Sequence, residues 1–241
     1  MNVYELFEIP ITVGKREFLL SSVRGLLGRG GYVVTVNPLM LMRARRDGEF
    51  REILKNASLV IPDGVGVKLA LWLLGIRTDV LPGVELASEL AEKGEHRLVL
   101  YGGRAGVAAA AAERLLRKNP SLSIPLVLDG YTDAEHRAIE KILEVRPSLL
   151  YVCLGAGGQK RVCAEICRER EGIVAIGLGG TLDVISGRVK RAPRWLRRLR
   201  LEWLYRMLRE PRRLRDAFTL VRFFALALLS SVGFFHKHAK R

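Results

Sequence analysis

The chain is poor in the residues that build disulfide frameworks and metal centres. It has three cysteines and four histidines among 241 residues. Cys153, Cys163 and Cys167 form an odd set whose spacing completes neither a zinc site nor a disulfide framework, so we expect reduced core thiols. His136 lies in a predicted helix, whereas His236 and His238 lie in the C-terminal tail. This dispersion disfavours a histidine-based catalytic or metal set, and we expect no metal and no cofactor.

Export signals, long apolar runs and nucleotide fingerprints are also missing. The N-terminal residues carry charges on both sides of a short apolar stretch, which is unlike a signal peptide and predicts a cytoplasmic protein. The apolar run at residues 223–235 has 13 residues, short of the roughly 20 that a membrane-spanning helix needs. No G-x-G-x-x-G or P-loop pattern occurs, which disfavours dinucleotide dehydrogenases and P-loop nucleotidases.

Positive charge is concentrated at the C-terminus. Of the 40 lysines and arginines, sixteen lie in residues 188–241 beside three acidic residues, so this segment holds +13 of the formal net charge of +15. The rest of the chain has the nearly balanced charge of an ordinary enzyme. A basic tail suits phosphate-rich partners, and charge alone leaves anionic lipid, a diphosphate ligand and nucleic acid open.

Strand and helix patterns alternate through the first 193 residues. Short β-branched and apolar runs each lead through a turn into a predicted helix. This alternation predicts an α/β core with a Rossmann-like, mostly parallel sheet, helices on both faces and a small N-terminal addition. We expect one core domain over residues 1–193. The predicted strands are 32–36, 59–62, 97–101, 124–129, 149–154 and 173–177.

Residues 194–241 predict a basic amphipathic appendage of two helices separated by Pro211. Apolar residues recur at helical spacing in both, with arginines between them. The second stripe consists of Leu214, Phe218, Val221, Ala225 and Leu228. We predict that the appendage lies on an anionic membrane surface, although an apolar helix surface could equally serve a homo-oligomer contact.

Polar side chains follow the predicted strands at the sheet rim where ligands of open α/β sheets bind. Asp63 could act there as a general base, or it could cap the following helix. Thr35 and Asn37 could orient sugar hydroxyls or an acetamido group, or they could be turn residues, Asn37 through an Asx-turn. Asp183 could accept hydrogen bonds from a sugar or a ribose, or pair with the basic stretch after it.

Three glycine-rich turns lie at the same predicted rim, at residues 102–103, 155–158 and 177–180. Backbone amides beside a helix N-terminus can bind phosphate, although glycines also simply permit tight strand-to-helix turns. Three such turns together favour a nucleotide diphosphate ligand. The glycines that we expect to contact it are Gly102, Gly103, Gly155, Gly179 and Gly180.

Several segments together resemble the WecG/TagA/CpsF glycosyltransferase family. The most specific is residues 177–215, GLGGTLDVISGRVKRAPRWLRRLRLEWLYRMLREPRRLR, with G-G-T-x-D, R-A-P, E-W-L-Y-R and E-P-R-R. V-T-V-N-P at 34–38, P-D-G-V-G at 62–66, L-Y-G-G at 100–103 and L-G-x-x-x-Q at 154–159 match as well. The resemblance covers about residues 5–215, nearly the whole chain.

This resemblance implies an inverting, metal-independent transfer of N-acetylmannosamine, or a related hexosamine or uronic acid, from a UDP-sugar donor. The implied acceptor is N-acetylglucosamine on undecaprenyl diphosphate, a polyprenol-diphosphate carrier of cell-surface polysaccharide or teichoic acid synthesis. The enzyme would then be peripheral on the inner face of the cell membrane. Nucleic acid is not an expected partner.

The resemblance also assigns roles by position. Asp63 matches the general base, and Thr35 beside it is expected to be catalytic as well. Asn37 is expected to contact substrate there, and Gln159 and Asp183 match donor-binding positions. Gly64, Thr181 and Arg191 belong to matched motifs and are expected to contact substrate. The appendage would supply arginines to the diphosphates, and the candidates are Arg206, Arg213, Arg215 and Arg222.

The chain departs from the family pattern at three places. Val80 stands where the family commonly has arginine, Glu85 where it has aspartate, and Lys160 where it has glutamate. Arg77 or Lys160 could replace a lost contact. These departures, with the basic tail, leave a second hypothesis open: a diverged, non-catalytic member that binds anionic membrane or other polyanions.

Overall fold

The computed structural model describes residues 2–94, 96–131, 134–155, 158–190, 192–193, 196, 205 and 214–238, with the backbone alone at 214–215 and 231–238. Its strands are β1 (Val3–Leu6), β2 (Ile9–Thr12), β3 (Gly31–Val36), β4 (Leu59–Pro62), β5 (Arg97–Gly102), β6 (Ser123–Leu128), β7 (Leu149–Cys153) and β8 (Val174–Gly177). Its helices are α1 (Arg16–Arg24), α2 (Pro38–Ala44), α3 (Gly48–Lys55), α4 (Val65–Leu73), α5 (Gly83–Glu92), α6 (Val107–Lys118), α7 (Glu135–Val145), α8 (Gly158–Glu169), α9 (Thr181–Ile185) and α10 (Leu214–His238).

Six parallel strands form the central sheet in the order β4-β3-β8-β7-β5-β6. The chain builds β3 and β4 on one side, crosses to β5 and β6, and returns through β7 to place β8 in the centre. Helices cover both faces, as buried parallel strands require. The predicted α/β class and parallel sheet are therefore confirmed.

Alternate side chains of each strand enter two separate hydrophobic clusters. On β3, Val34 and Val36 pack with α2, α3, α4, α7 and α8, whereas Val33 packs on the opposite face with α1, α5 and α6. The short helix α9 also belongs to this second face, through Leu182. Neighbouring strands β7 and β8 thus lead into helices on opposite faces, which opens a crevice at their carboxyl ends.

The predicted N-terminal addition is an antiparallel hairpin of β1 and β2, in which Val3 pairs with Thr12. Phe7 and Glu8 form its turn with positive φ angles of 51° and 66°. Ile9 and Ile11 of β2 are fully buried against the main core, beside the edge strand β4. The hairpin therefore extends the core past the edge of the parallel sheet.

Helix α10 packs its inner face against α2 and α4. Phe223 and Ala227 are fully buried, and the Phe223 ring contacts Phe7 edge-on at 5.7 Å between centroids. The outer face exposes the predicted stripe instead, with Phe218 79% and Val221 67% exposed. Within the described ranges, no helix combines the length and the apolar character needed to cross a membrane. The domain boundary at residue 194 stays a prediction, but the described part of the appendage is docked on the core.

Candidate functional site

Asp63 and Asn37 are neighbours at the carboxyl ends of β4 and β3. The register pairs Val36 with Pro62, and the Asp63 amide donates to the Val36 carbonyl oxygen at 2.8 Å. Helix α4 begins after Gly64, which occupies the N-cap position with φ 82° and ψ 157°. Asp63 therefore does not hold the capping position that its residue type would suit, and its half-buried side chain lies at the rim.

Asn37 caps α2, because its Oδ1 accepts a hydrogen bond from the Met40 amide at 3.0 Å. Pro38 follows at the first helical position, where its missing N–H costs nothing. This N-cap bond, rather than the Asx-turn considered for Asn37, is what the structure shows. It leaves the Nδ2 amide group to donate toward a ligand at the rim.

Thr35 lies one layer below this rim, on the sheet face that carries α5 and α9. Its side chain is buried, and a Cβ atom on Gly83 would lie only 3.3 Å from Thr35 Oγ1 and 3.6 Å from Thr181 Oγ1. Thr181 donates its hydroxyl to the Leu178 carbonyl oxygen at 2.7 Å. Gly83 is therefore needed so that the start of α5 can approach the ends of β3 and β8.

The turn after β8 is held by a buried side chain from the turn after β7. Gln159 is buried in the first turn of α8, and its Oε1 accepts a hydrogen bond from the Gly179 amide at 2.7 Å. Asp183 lies in the first turn of α9, with its carboxylate near Gly180. The two positions expected to bind donor thus lie at adjacent turns of the rim.

The glycines of the rim divide into two kinds. A Cβ atom on Gly102 would collide with the Cys153 carbonyl oxygen, and the Gly103 amide donates to that same oxygen at 3.1 Å. Gly64, Gly155 and Gly179 also have positive φ, but a Cβ atom there would meet no atom of the described residues within 4 Å. A Cβ atom on Gly103 would lie 2.9 Å from the Val107 side chain, so packing explains the first pair, whereas the other three glycines have no close neighbour in the described part of the chain.

Two groups near the rim have strongly shifted pKa values. Burial raises the pKa of the Cys153 thiol to about 12, which makes it an inert core thiol. Burial lowers the pKa of Lys160 to about 8. Among the described residues, Lys160 Nζ has no hydrogen-bond partner, and it lies 5.3 Å from the centre of the Phe50 ring.

The predicted arginines are mostly outside the described residues. Arg191, Arg206 and Arg213 lie there, and for Arg215 only the backbone on α10 is described. Arg222 is described, and it is exposed on α10. The arginine contacts to a diphosphate therefore stay predictions.

Sequence reasoning missed a cavity of about 600 Å³ beside α4. Basic side chains of Lys15, Lys68 and Arg77 line it together with the apolar side chains of Leu69 and Trp72. The sequence contained one signal for this cavity. Helix α4 has apolar residues on the face that enters the core, and it also has apolar residues outside that face. Arg77, considered above as a replacement cation, belongs to this cavity.

Glu85, a second departure from the family pattern, has an ion-pair partner in the structure. Glu85 in the first turn of α5 accepts a hydrogen bond from Arg16 of α1 at 2.8 Å, and Arg16 also pairs with Glu89. Glu85 therefore helps fix α1 to α5 beside Gly83.

Comparison with known proteins gives consistent matches over most of the chain. The model of a family described as "Glycosyl transferase WecG/TagA/CpsF family" matches residues 4–236. The chain is 32% identical over 204 residues to an N-acetylglucosaminyldiphosphoundecaprenol N-acetyl-beta-D-mannosaminyltransferase of Bacillus spizizenii, covering 83% of this chain and 79% of the relative. Proteins of the same description are 32% identical in Bacillus subtilis, over 76% of this chain and 73% of the relative, and 31% in Staphylococcus aureus, over 73% and 71%.

Proposed function

Because this chain belongs to the WecG/TagA/CpsF family of glycosyltransferases, we propose that it transfers N-acetylmannosamine, or a related hexosamine or uronic acid, from a UDP-sugar. The proposed acceptor is N-acetylglucosaminyl-diphospho-undecaprenol, after which its relatives are named. The observation that carries the proposal is the placement of Asp63 and Asn37 on adjacent strand ends, beside glycine turns that face open space.

Asp63 is the proposed general base. Its carboxylate accepts the proton of the acceptor hydroxyl while that oxygen forms a bond to C1 of the donor sugar. The bond between C1 and the UDP oxygen breaks on the opposite side, and UDP leaves with the electron pair. Attack opposite to the leaving group inverts the configuration at C1.

Asn37 and Thr35 have different parts in this proposal. Asn37 Oδ1 is engaged with the Met40 amide, so its Nδ2 group is the one that donates to a sugar oxygen. Thr35 is buried beneath the rim, and it shapes the floor where β3, α5 and α9 meet. We therefore assign Asn37 a direct substrate contact and Thr35 a positioning role.

The departing UDP needs its developing negative charge stabilised. Gly155, Gly179 and Gly180 line the part of the rim where the diphosphate would lie, and Gln159 fixes the Gly179 turn through its amide hydrogen bond. Arginines of the C-terminal segment are the proposed cationic partners, since a guanidinium binds a diphosphate through two parallel hydrogen bonds.

Peripheral membrane attachment at the inner face is part of the proposal, because the acceptor is a membrane lipid. Helix α10 buries one face in the core and exposes a second apolar face, in which Leu228 is 54% and Leu229 68% exposed. Arg222 of the same helix is exposed as well. A docked helix with an exposed apolar face and nearby cations suits the interface of an anionic bilayer.

Turnover of the full chain tests the proposal. UDP release should require both UDP-N-acetylmannosamine and a lipid-linked N-acetylglucosaminyl diphosphate. Asp63→Asn should lower kcat by roughly 10²–10⁴-fold, the usual contribution of a general base, with UDP binding retained. Unchanged turnover in Asp63→Asn would remove this carboxylate from the mechanism.

The second candidate function is binding without catalysis, which the exposed face of α10 favours. It predicts that the full chain sediments with anionic vesicles, with a steep dependence on salt, and releases no UDP from any donor. Tight UDP binding that Asp183→Asn weakens would contradict this candidate.

A further inference from the structure

The cavity beside α4 adjoins the proposed catalytic rim. Its volume of about 600 Å³ is typical of small-ligand sites. Val65 lines it, two residues after Asp63, and Lys68 follows about 5 Å further along the helix axis. The cavity therefore extends from the neighbourhood of the proposed base along α4.

One wall of the cavity is an apolar stripe. Val65, Leu69 and Trp72 recur at helical spacing on one face of α4, and Ile76 follows beyond the helix end. Leu69 is 41% and Trp72 59% exposed, while the opposite face of α4 is buried in the core. An exposed apolar face inside a cavity suits an apolar ligand segment.

The loops beside α4 contribute cations to the lining, and hydrogen bonds hold these loops together. Thr78 Oγ1 accepts from the Gly14 amide at 3.0 Å and donates to the Gly14 carbonyl oxygen at 3.1 Å. This contact brings their chain neighbours Lys15 and Arg77 to the same wall. In the part of the chain that the structure describes, neither of these two cations forms an ion pair.

Lys68 and Asp79 also line the cavity and pair with each other at 3.1 Å. Asp79 additionally accepts a hydrogen bond from the Arg16 amide at 3.3 Å. The Lys68–Asp79 pair adds little net charge to the wall. Lys15 and Arg77 therefore give the cavity a net positive charge that suits a multiply charged anion.

We infer that this cavity binds the diphosphate and the first isoprenoid units of the polyprenol-linked acceptor, an inference that rests on the proposed function. The diphosphate would pair with Lys15 and Arg77, and the isoprenoid would lie on Leu69 and Trp72. A purely apolar ligand would leave both cations without an anion, and a nucleotide would put polar base edges against the apolar wall. Arg77, in the same loop as Val80, then supplies the positive charge that the family's arginine would supply at position 80.

Farnesyl diphosphate is the probe that tests the cavity, because it carries both chemical features and needs no turnover. Calorimetric titration of the full chain should show binding that Leu69→Ser and Arg77→Gln each weaken at least fivefold. The matched controls are Leu116→Ser and Arg117→Gln on α6, with Leu116 37% exposed, and they should bind as the parent chain does. Inorganic diphosphate should lose affinity in Arg77→Gln but not in Leu69→Ser.

The outcomes separate the cavity from the catalytic proposal. Absence of farnesyl diphosphate binding, equal affinity in all four variants, or displacement of the probe by UDP would overturn the inference. Binding with the expected variant pattern but no turnover with any donor and acceptor would retain the cavity and reject the transferase. Turnover without probe binding would retain the transferase and reject the cavity as a binding site.

Discussion

The ends of β4 and β5 lie on opposite sides of the sheet centre and use their polar and glycine residues differently. At the end of β5, the backbone of β7 approaches Gly102 too closely for any side chain, and the Val107 side chain lies 2.9 Å from where a Cβ atom of Gly103 would be. At the end of β4, a Cβ atom on Gly64 would meet no atom of the described residues within 4 Å, and Gly64 holds the N-cap position of α4.

The difference separates residues that packing explains from residues for which a ligand contact is proposed. Close packing accounts for the residues at the β5 end without any reference to function. For the carboxylate of residue 63 we propose the role of general base, and substitution tests that role. Glycine-containing turns that look alike in the sequence can therefore have different causes. Substitutions at the ends of β4 and β5 should separate effects on stability from effects on activity.

The largest expected effect is on stability, at the β5 end. Gly102→Ala combines a strained φ of 131° with a collision against backbone, and it should lower the free energy of unfolding by about 3–4 kcal/mol. Gly155→Ala has a φ of 81° and, among the described residues, no atom within 4 Å of its Cβ, so it should cost only about 1 kcal/mol. Urea unfolding of both variants measures the difference.

Activity should follow the opposite pattern after correction for the folded fraction. Gly155→Ala places a methyl group in the open part of the rim and should raise KM for the UDP-sugar. If Gly102→Ala proved as stable as Gly155→Ala, packing would not explain the β5 end, and the comparison would fail.

Much of the fold could be predicted because local signals agreed with the tertiary structure. The strand at 59–62 was predicted with the bounds that β4 has, and its neighbour 32–36 differs from β3 by one residue. The rim residues followed from this, since parallel strands bring their carboxyl ends to one edge. Periodicity and turn residues thus sufficed to place Asp63 and Asn37.

The rest depended on contacts between segments distant in the chain. The cavity beside α4 exists because Thr78 bonds to Gly14, 64 residues away, and neither residue belongs to a motif. The stripe of α10 was predicted as the membrane-facing surface, but its other face contains Phe223, which packs against the hairpin residue Phe7. Helical periodicity identifies an apolar face without identifying its partner.

Lys160 in α8, the helix that follows β7, is buried, and packing does not explain its charge. Burial lowers its pKa from 10.5 to about 8, so between pH 8 and 10.5 the unfolded chain binds more protons. The free energy of unfolding should rise with pH in this window, and below pH 8 the full cost of burying the ammonium group is present. Lys160→Met should remove that cost and stabilise the chain by about 2–3 kcal/mol at pH 7.

Urea unfolding at pH 7 and pH 10 checks this expectation. The gain of Lys160→Met should shrink at pH 10, where the parent amine is neutral. Lys93→Met, at an exposed position, is the control and should change stability little at either pH. A less stable Lys160→Met at pH 7 would show that the ammonium group has an anionic partner.

The smallest expected effect compares two helix caps of the same geometry. Asn37 Oδ1 accepts from the Met40 amide at 3.0 Å, and Asp47 Oδ1 accepts from the Phe50 amide at 3.0 Å. Asn37→Ala and Asp47→Ala should therefore each cost about 1 kcal/mol of stability. Only Asn37 lies at the rim, so kcat/KM should fall about tenfold in Asn37→Ala and stay near the parent value in Asp47→Ala. Equal activity in the two variants would mean that Asn37 only caps α2, and that Asp63 acts without a neighbouring amide.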